Sequence, residues 1–189
     1  DDLWLNESFA TFASVLAQAD AARYPDAWTT FANVEKSWAY RQDQLPSTHP
    51  VAADMTDLET VEANFDGITY AKGASVLKLL VAYVGREPFL AGLRAYFAEN
   101  AWGNAEFDDL LGALEKASGR DLSGWADQWL RTTGRNSISV EVATSGDTDT
   151  ISELTVVQGP AEPGAGELRT HRIGVGLYSR DESGAVVRT

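Results

Sequence analysis

Leu3-Trp4-Leu5-Asn6-Glu7-Ser8-Phe9-Ala10-Thr11-Phe12-Ala13-Ser14-Val15-Leu16-Ala17-Gln18-Ala19 is the stretch that decides the fold. Leu5, Phe9, Phe12 and Leu16 recur at helical spacing, which predicts a helix over 3–19 with one apolar stripe. Its opposite face carries Ala10, Ser14 and Ala17, small side chains rather than charged ones. A helix that is apolar or small on nearly every side is expected to be buried. Glu7 is the only charged residue between Leu3 and Ala19, and it points away from the stripe, toward a second packed surface or a cavity.

Working outward, helical spacing continues to about Gly134. A second helix is expected from Pro25, with Ala27, Phe31, Val34 and Trp38 as its stripe, fading at Gln42–Leu45. Pro46, His49 and Pro50 mark a loop. Asp43, Asp54, Asp57, Glu59, Glu62 and Asp66 follow with no Lys or Arg among them, reading as a solvated acidic loop surface closed by Gly67. A third helix is expected over 69–84 through Tyr70, Gly73, Ala74, Leu77, Val81 and Val84, where Gly73 and Ala74 allow close packing. A fourth starts at Pro88 with Phe89, Leu93 and Phe97. A fifth spans 105–118, with Asn104 as cap and Gly119 as stop. A sixth spans 122–132, with Asp121 as cap and Trp125 and Trp129 buried.

Beyond Gly134 the pattern changes to alternation. All six tryptophans precede Gly134, and the only aromatic after it is Tyr178. Ile138, Val140 and Val142 alternate, as do Ile151 or Leu154 with Val156, and Ile173, Val175 and Leu177 within Arg169–Tyr178. Pro160–Gly166 reads as a loop and Asp181–Gly184 as a turn. Three strands and the start of a fourth do not make a stable sandwich alone, so a partner sheet is expected elsewhere. The only Met is Met55, and the chain opens on Asp1 and stops inside a strand pattern, which reads as a segment of a longer protein.

Composition narrows the function. The 189 residues suffice for a substantial core. Without cysteine there is no disulfide scaffold, no thiolate zinc site and no cysteine nucleophile. His49 and His171 are too far apart for a local two-histidine metal motif and argue against a serine–histidine triad. A formal net charge of −13 disfavours nucleic acid as a partner. No apolar run approaches a membrane span of about 20 residues, and no signal-peptide pattern is present.

Glu7, Tyr70 and His49 are the candidate functional residues. A buried carboxylate needs a metal, a cation or several hydrogen bonds. For Glu7 this leaves open an arginine pair, a cap on a neighbouring element, or a metal-binding or catalytic role. A phenol on the first turn of a buried helix can stabilise an oxyanion, or can be an ordinary core tyrosine. His49, between Thr48 and Pro50, reads as a loop hydrogen bonder. The acidic stretch would also favour cationic substrates through its field.

Trp4-Leu5-Asn6-Glu7-Ser8-Phe9-Ala10 resembles the segment around the third zinc ligand in zinc aminopeptidases of the aminopeptidase N type, the gluzincin metallopeptidases. Phe65-Asp66-Gly67-Ile68-Thr69-Tyr70-Ala71-Lys72-Gly73-Ala74-Ser75-Val76-Leu77 resembles that family's tyrosine segment. Ser47-Thr48-His49-Pro50-Val51 is similar to its S-x-H-P loop. Gly103-Asn104-Ala105, Asp109-Leu110-Leu111 and the Trp125–Trp129 helix resemble the end of its catalytic domain.

The resemblance implies a chain that is mainly α followed by β: the helical half of a thermolysin-like catalytic domain over 1–134, then the start of an antiparallel β-sandwich over 135–189. It implies Glu7 as metal ligand, Tyr70 as catalytic residue, one zinc ion in the parent protein and a peptide as substrate. His49 gains no catalytic role. The family's H-E-x-x-H and G-x-M-E-N motifs are absent from this chain. The segment alone is therefore expected to be inactive and to retain no zinc, its partner being the upstream half of the catalytic domain. No nucleic acid or membrane partner and a cytoplasmic setting complete the expectation. The rivals are a non-catalytic acidic helical interaction module and a degenerate family member.

Overall fold

The computed structural model describes residues 2–146 and 150–188. Asp1 and Thr189, the ends on which the expectation of a longer parent rests, lie outside the described residues. The helical part runs α1 (Leu3–Asp20), α2 (Ala27–Asn33), α3 (Glu35–Gln42), α4 (Leu58–Ala63), a π-helical turn (Ile68–Lys72), α5 (Gly73–Val84), α6 (Arg86–Glu99), α7 (Phe107–Ser118) and α8 (Ser123–Leu130). Strands β1 (Ile138–Ser145), β2 (Thr150–Gln158), β3 (Tyr178–Arg180) and β4 (Val186–Arg188) follow. The order is the expected one, mainly α and then β.

One apolar cluster joins the helices. Trp4, Leu5 and Phe12 of α1 share it with Leu77 and Leu80 of α5, Phe89 of α6, Leu110 and Leu114 of α7, and Trp125 and Trp129 of α8. Aromatic edges organise it: Trp4 meets Phe107 at 5.0 Å and Phe12 meets Phe89 at 5.7 Å between ring centroids. Each fully buried side chain of this size contributes about 1.5–3 kcal/mol. Helix ends follow local chemistry. Glu106 and Asp109 form a reciprocal capping box at the start of α7. Gly119 ends α7 in the left-handed region, as expected.

Several elements differ from the expectation. The helix expected from Pro25 breaks at Val34 into α2 and α3, and Trp38 is 38% exposed. Asn104 does not cap α7, because Glu106 and Asp109 satisfy that end more completely. The acidic stretch contains α4, started by Asp57, whose carboxylate accepts from Thr60 N at 2.8 Å. Phe97 is exposed, while Phe89 and Gly92 carry the buried side of α6. Helix α1 is buried on one side only: Trp4, Leu5, Ser8, Phe12 and Val15 are covered, whereas Ala10, Ser14 and Ala17 are open.

The β part is thin. Strands β1 and β2 pair antiparallel, Val140 opposite Val156 and Val142 opposite Leu154, with a register shift at Ala143/Thr144. Strands β3 and β4 form a second antiparallel pair. The expected strand over Arg169–Tyr178 is reduced to β3, which begins only at Tyr178. The Thr170 backbone instead bonds to α8, where Trp129 Nε1 donates to Thr170 O at 3.1 Å and Thr170 N donates to Gln128 Oε1 at 2.7 Å, and the Arg169 backbone bonds to the Gln158 side chain of β2. Backbone groups bonded to a helix are not available to a ladder. Ile173, Val175 and Leu177 are exposed.

Candidate active site

Glu7 lies on the second turn of α1, half-buried, and accepts a 3.3 Å hydrogen bond from its neighbour Asn6. The next residue, Ser8, is fully buried and donates from Oγ to Thr69 O at 2.6 Å. Gly73 lies on the same contact: a Cβ there would meet Ser8 Oγ at 1.8 Å. Glycine is therefore required where α1 crosses the start of α5. This close approach brings Tyr70 against Glu7. Partial burial, then the nearby Glu7 carboxylate and its negative charge, hold the Tyr70 phenol above its ordinary pKa. The phenol thus stays protonated at neutral pH. The Phe65 ring lies 6.3 Å from the tyrosine ring.

The turn that carries Tyr70 is held at its start by Asp66. Its Oδ1 accepts from Ile68 N at 2.8 Å and Thr69 N at 3.1 Å. Its Oδ2 accepts from Gln42 Nε2 and from His49 Nε2, the latter at 3.0 Å. Gln42 Oε1 in turn accepts from Gly67 N at 2.8 Å. The other His49 nitrogen, Nδ1, faces Pro50 O at 2.7 Å. Both ring nitrogens face acceptors, so the arrangement is complete only for the imidazolium. Burial alone would lower the His49 pKa. The bonds to Asp66 and Pro50 and the Asp66 charge outweigh it, and the net direction is upward.

At its other end the turn is held by Lys72. Lys72 Nζ lies 2.9 Å from both Asp43 oxygens and donates to Gly134 O at 3.3 Å. Asp43 Oδ1 also accepts from Thr48 Oγ1 at 2.8 Å and Gly134 N at 3.1 Å. Burial pushes the Lys72 ammonium below its ordinary pKa, and the Asp43 carboxylate opposes that shift.

The structure therefore brings Glu7 and Tyr70 together and sets His49 apart, on the far side of Asp66 as part of a scaffold. Sequence reasoning missed Ser8, Asp43, Asp66 and Lys72 as residues that build the site. Asp66, one residue before a glycine and a helix start, carried the one local signal, that of a cap. The possible metal donor beside Tyr70 is one carboxylate, Glu7. Among the described residues no group of three or more His, Asp or Glu could hold an ion. A catalytic zinc takes about three protein ligands and a water. The chemistry of Glu7 fits one such ligand, and the described residues do not complete the shell.

A model of the peptidase family M1 domain matches residues 1–129. The chain is 55% identical over 194 residues to aminopeptidase N of Streptomyces lividans, which covers 100% of this chain and 23% of that protein. It is 43% identical over 142 residues to the probable aminopeptidase 2 of Sulfurisphaera tokodaii, covering 75% of the chain and 18% of the relative. It is 40% identical over 134 residues to the tricorn protease-interacting factor F2 of Thermoplasma volcanium, covering 71% and 17%. The chain thus spans less than a quarter of the length of these relatives.

Proposed function

The chain belongs to peptidase family M1, and on that premise we propose that it is part of a zinc aminopeptidase that removes N-terminal residues from peptides. The observation that carries this is the placement of Glu7 and Tyr70 on two elements held in close contact by the Ser8–Thr69 bond and by Gly73. Glu7 supplies one carboxylate ligand to the metal, and the remaining ligands and the general base come from outside these residues. Bound there, zinc supplies Lewis-acid polarisation and a nucleophilic water at neutral pH. Tyr70 donates its hydroxyl proton in a hydrogen bond to the oxyanion of the tetrahedral intermediate, a role that requires the neutral phenol. Residues 1–134 are the C-terminal helical part of the peptidase domain and 135–189 the opening of a β-sandwich in the same proposal.

The test uses the full-length protein with an aminoacyl-arylamide substrate and a zinc determination. Glu7→Ala is expected to lose metal. Tyr70→Phe is expected to keep metal and lose about 100-fold or more in kcat. Unchanged turnover in Tyr70→Phe would overturn the role given to the phenol. Full zinc occupancy in Glu7→Ala would overturn that of the carboxylate.

A further inference from the structure

The position of the Tyr70 phenol is inherited from the five-residue turn Ile68–Lys72, which is held from two sides. On one side Ser8 binds Thr69 O. On the other Lys72 reaches away from α1 into an enclosed polar cluster. Asp43 is 3%, Lys72 9% and Arg169 3% exposed. Arg169, from the loop after β2, completes the cluster. Its Nη1 donates to Gly134 O at 3.0 Å and to Asn136 Oδ1 at 3.0 Å. Its Nε donates to Gln128 O at 2.9 Å and its Nη2 to Thr133 O at 2.8 Å. Gly134 O therefore accepts from both buried cations, while Gly134 N donates to the carboxylate that pairs with Lys72. Gly134 has φ 73°, and a Cβ there would lie 2.3 Å from Pro163 O, so only glycine places this carbonyl between the two cations.

We propose that Lys72 and Arg169 are positioning residues for Tyr70, together tying the turn that carries the phenol to the β-strand half of the chain through the Gly134 carbonyl. A buried ion pair contributes little net stability compared with a well-packed apolar pair. What two buried cations on one carbonyl, one of them also paired with a buried carboxylate, do supply is direction: Lys72 has one place to go. Arg169 lies outside residues 1–129, the part that matches the peptidase domain. The β-strand half thus contributes to the geometry of the site. An error of about 1 Å in a catalytic group costs on the order of 100-fold in rate.

This inference rests on the oxyanion role proposed for Tyr70, and a double-mutant cycle in the full-length protein separates the two. Lys72→Met is expected to lower kcat by about 10–100-fold, with KM and zinc content held. Lys72→Arg is expected to recover part of the loss. In a Tyr70→Phe background Lys72→Met is expected to cost nothing further, because the two act on one interaction. Arg169→Gln is expected to behave in the same way, more weakly, and it decides the matter if Lys72→Met does not fold. Unchanged kcat, or the same loss with and without the Tyr70 hydroxyl, would overturn the inference. A Tyr70→Phe variant that is fully active would instead overturn the reading beneath it.

Discussion

Ser8 Oγ occupies the space that a Cβ on Gly73 would need, 1.8 Å from where that carbon would stand. The same oxygen donates to Thr69 O, so the crossing of α1 over the tyrosine turn is fixed by one hydroxyl and one missing methyl. Gly73→Ala must therefore push α1 and the turn apart. The expected loss is about 1–3 kcal/mol of stability, read by urea denaturation, with a fall in kcat in the full-length protein. A variant as stable and active as wild type would mean that the crossing can yield without cost.

Asp66 serves two kinds of partner, and they can be separated. Asp66→Ala removes the acceptor for Ile68 N and Thr69 N as well as the partner of His49. It is expected to cost more than the roughly 1 kcal/mol of a lost cap. Asp66→Asn keeps a carbonyl oxygen for Ile68 N and Thr69 N but replaces Oδ2, the acceptor for Gln42 Nε2 and His49 Nε2, with an amide nitrogen that only donates. Chemical denaturation is expected to rank Asn well above Ala; equal losses would show that the cap carries none of the stability.

His49 makes stability depend on pH. Its folded pKa lies above the ordinary value of about 6.5, because Asp66 and Pro50 favour the imidazolium beyond what burial takes away. The folded state then binds the proton more tightly than the unfolded state. This contribution is complete below about pH 6.5 and is lost as pH rises through the folded pKa. Denaturation curves for wild type and His49→Gln are expected to lie furthest apart below about pH 6.5 and to converge as pH rises through the folded pKa. Parallel pH profiles would contradict the imidazolium assignment.

Asp43 and Lys72 are not equivalent halves of their pair. Without Lys72, the Asp43 carboxylate still accepts from Thr48 Oγ1 and Gly134 N. Without Asp43, the Lys72 ammonium keeps only the longer bond to Gly134 O. Asp43→Ala is therefore expected to cost about 3–5 kcal/mol, and Lys72→Met distinctly less. Adding Lys72→Met to Asp43→Ala is expected to restore part of the loss. Thermal unfolding of the four proteins tests the order.

The helical half was legible in the sequence because its information is local. Stripes such as Leu5–Phe12 and Leu110–Leu114 declare both the helix and its buried side, and Gly119 declares its end. Glu7 and Tyr70 were singled out because a lone acid on a small, apolar helix and a phenol on a buried one are costly oddities. The scaffold that joins them was not legible. Ser8, Asp43 and Arg169 look like ordinary polar residues until the fold brings partners 61, 29 and 35 positions away within reach. The failed strand near Arg169 has the same origin. Alternation records a preference for a pleated surface, but the backbone of Arg169 is bonded by the Gln158 side chain of β2 and that of Thr170 by Gln128 and Trp129 of α8.

Arg169 also bears on how such proteins can be cut and joined. The helix-to-strand transition at Gly134 looks like a natural seam, yet the residue that closes the end of α8 is supplied from beyond it. A chimera spliced at that seam to a strand half without such an arginine would leave the carbonyls of Gln128, Thr133 and Gly134 stripped of their guanidinium. Modules exchanged between relatives therefore fit this seam only when the incoming strand half brings an arginine to these carbonyls.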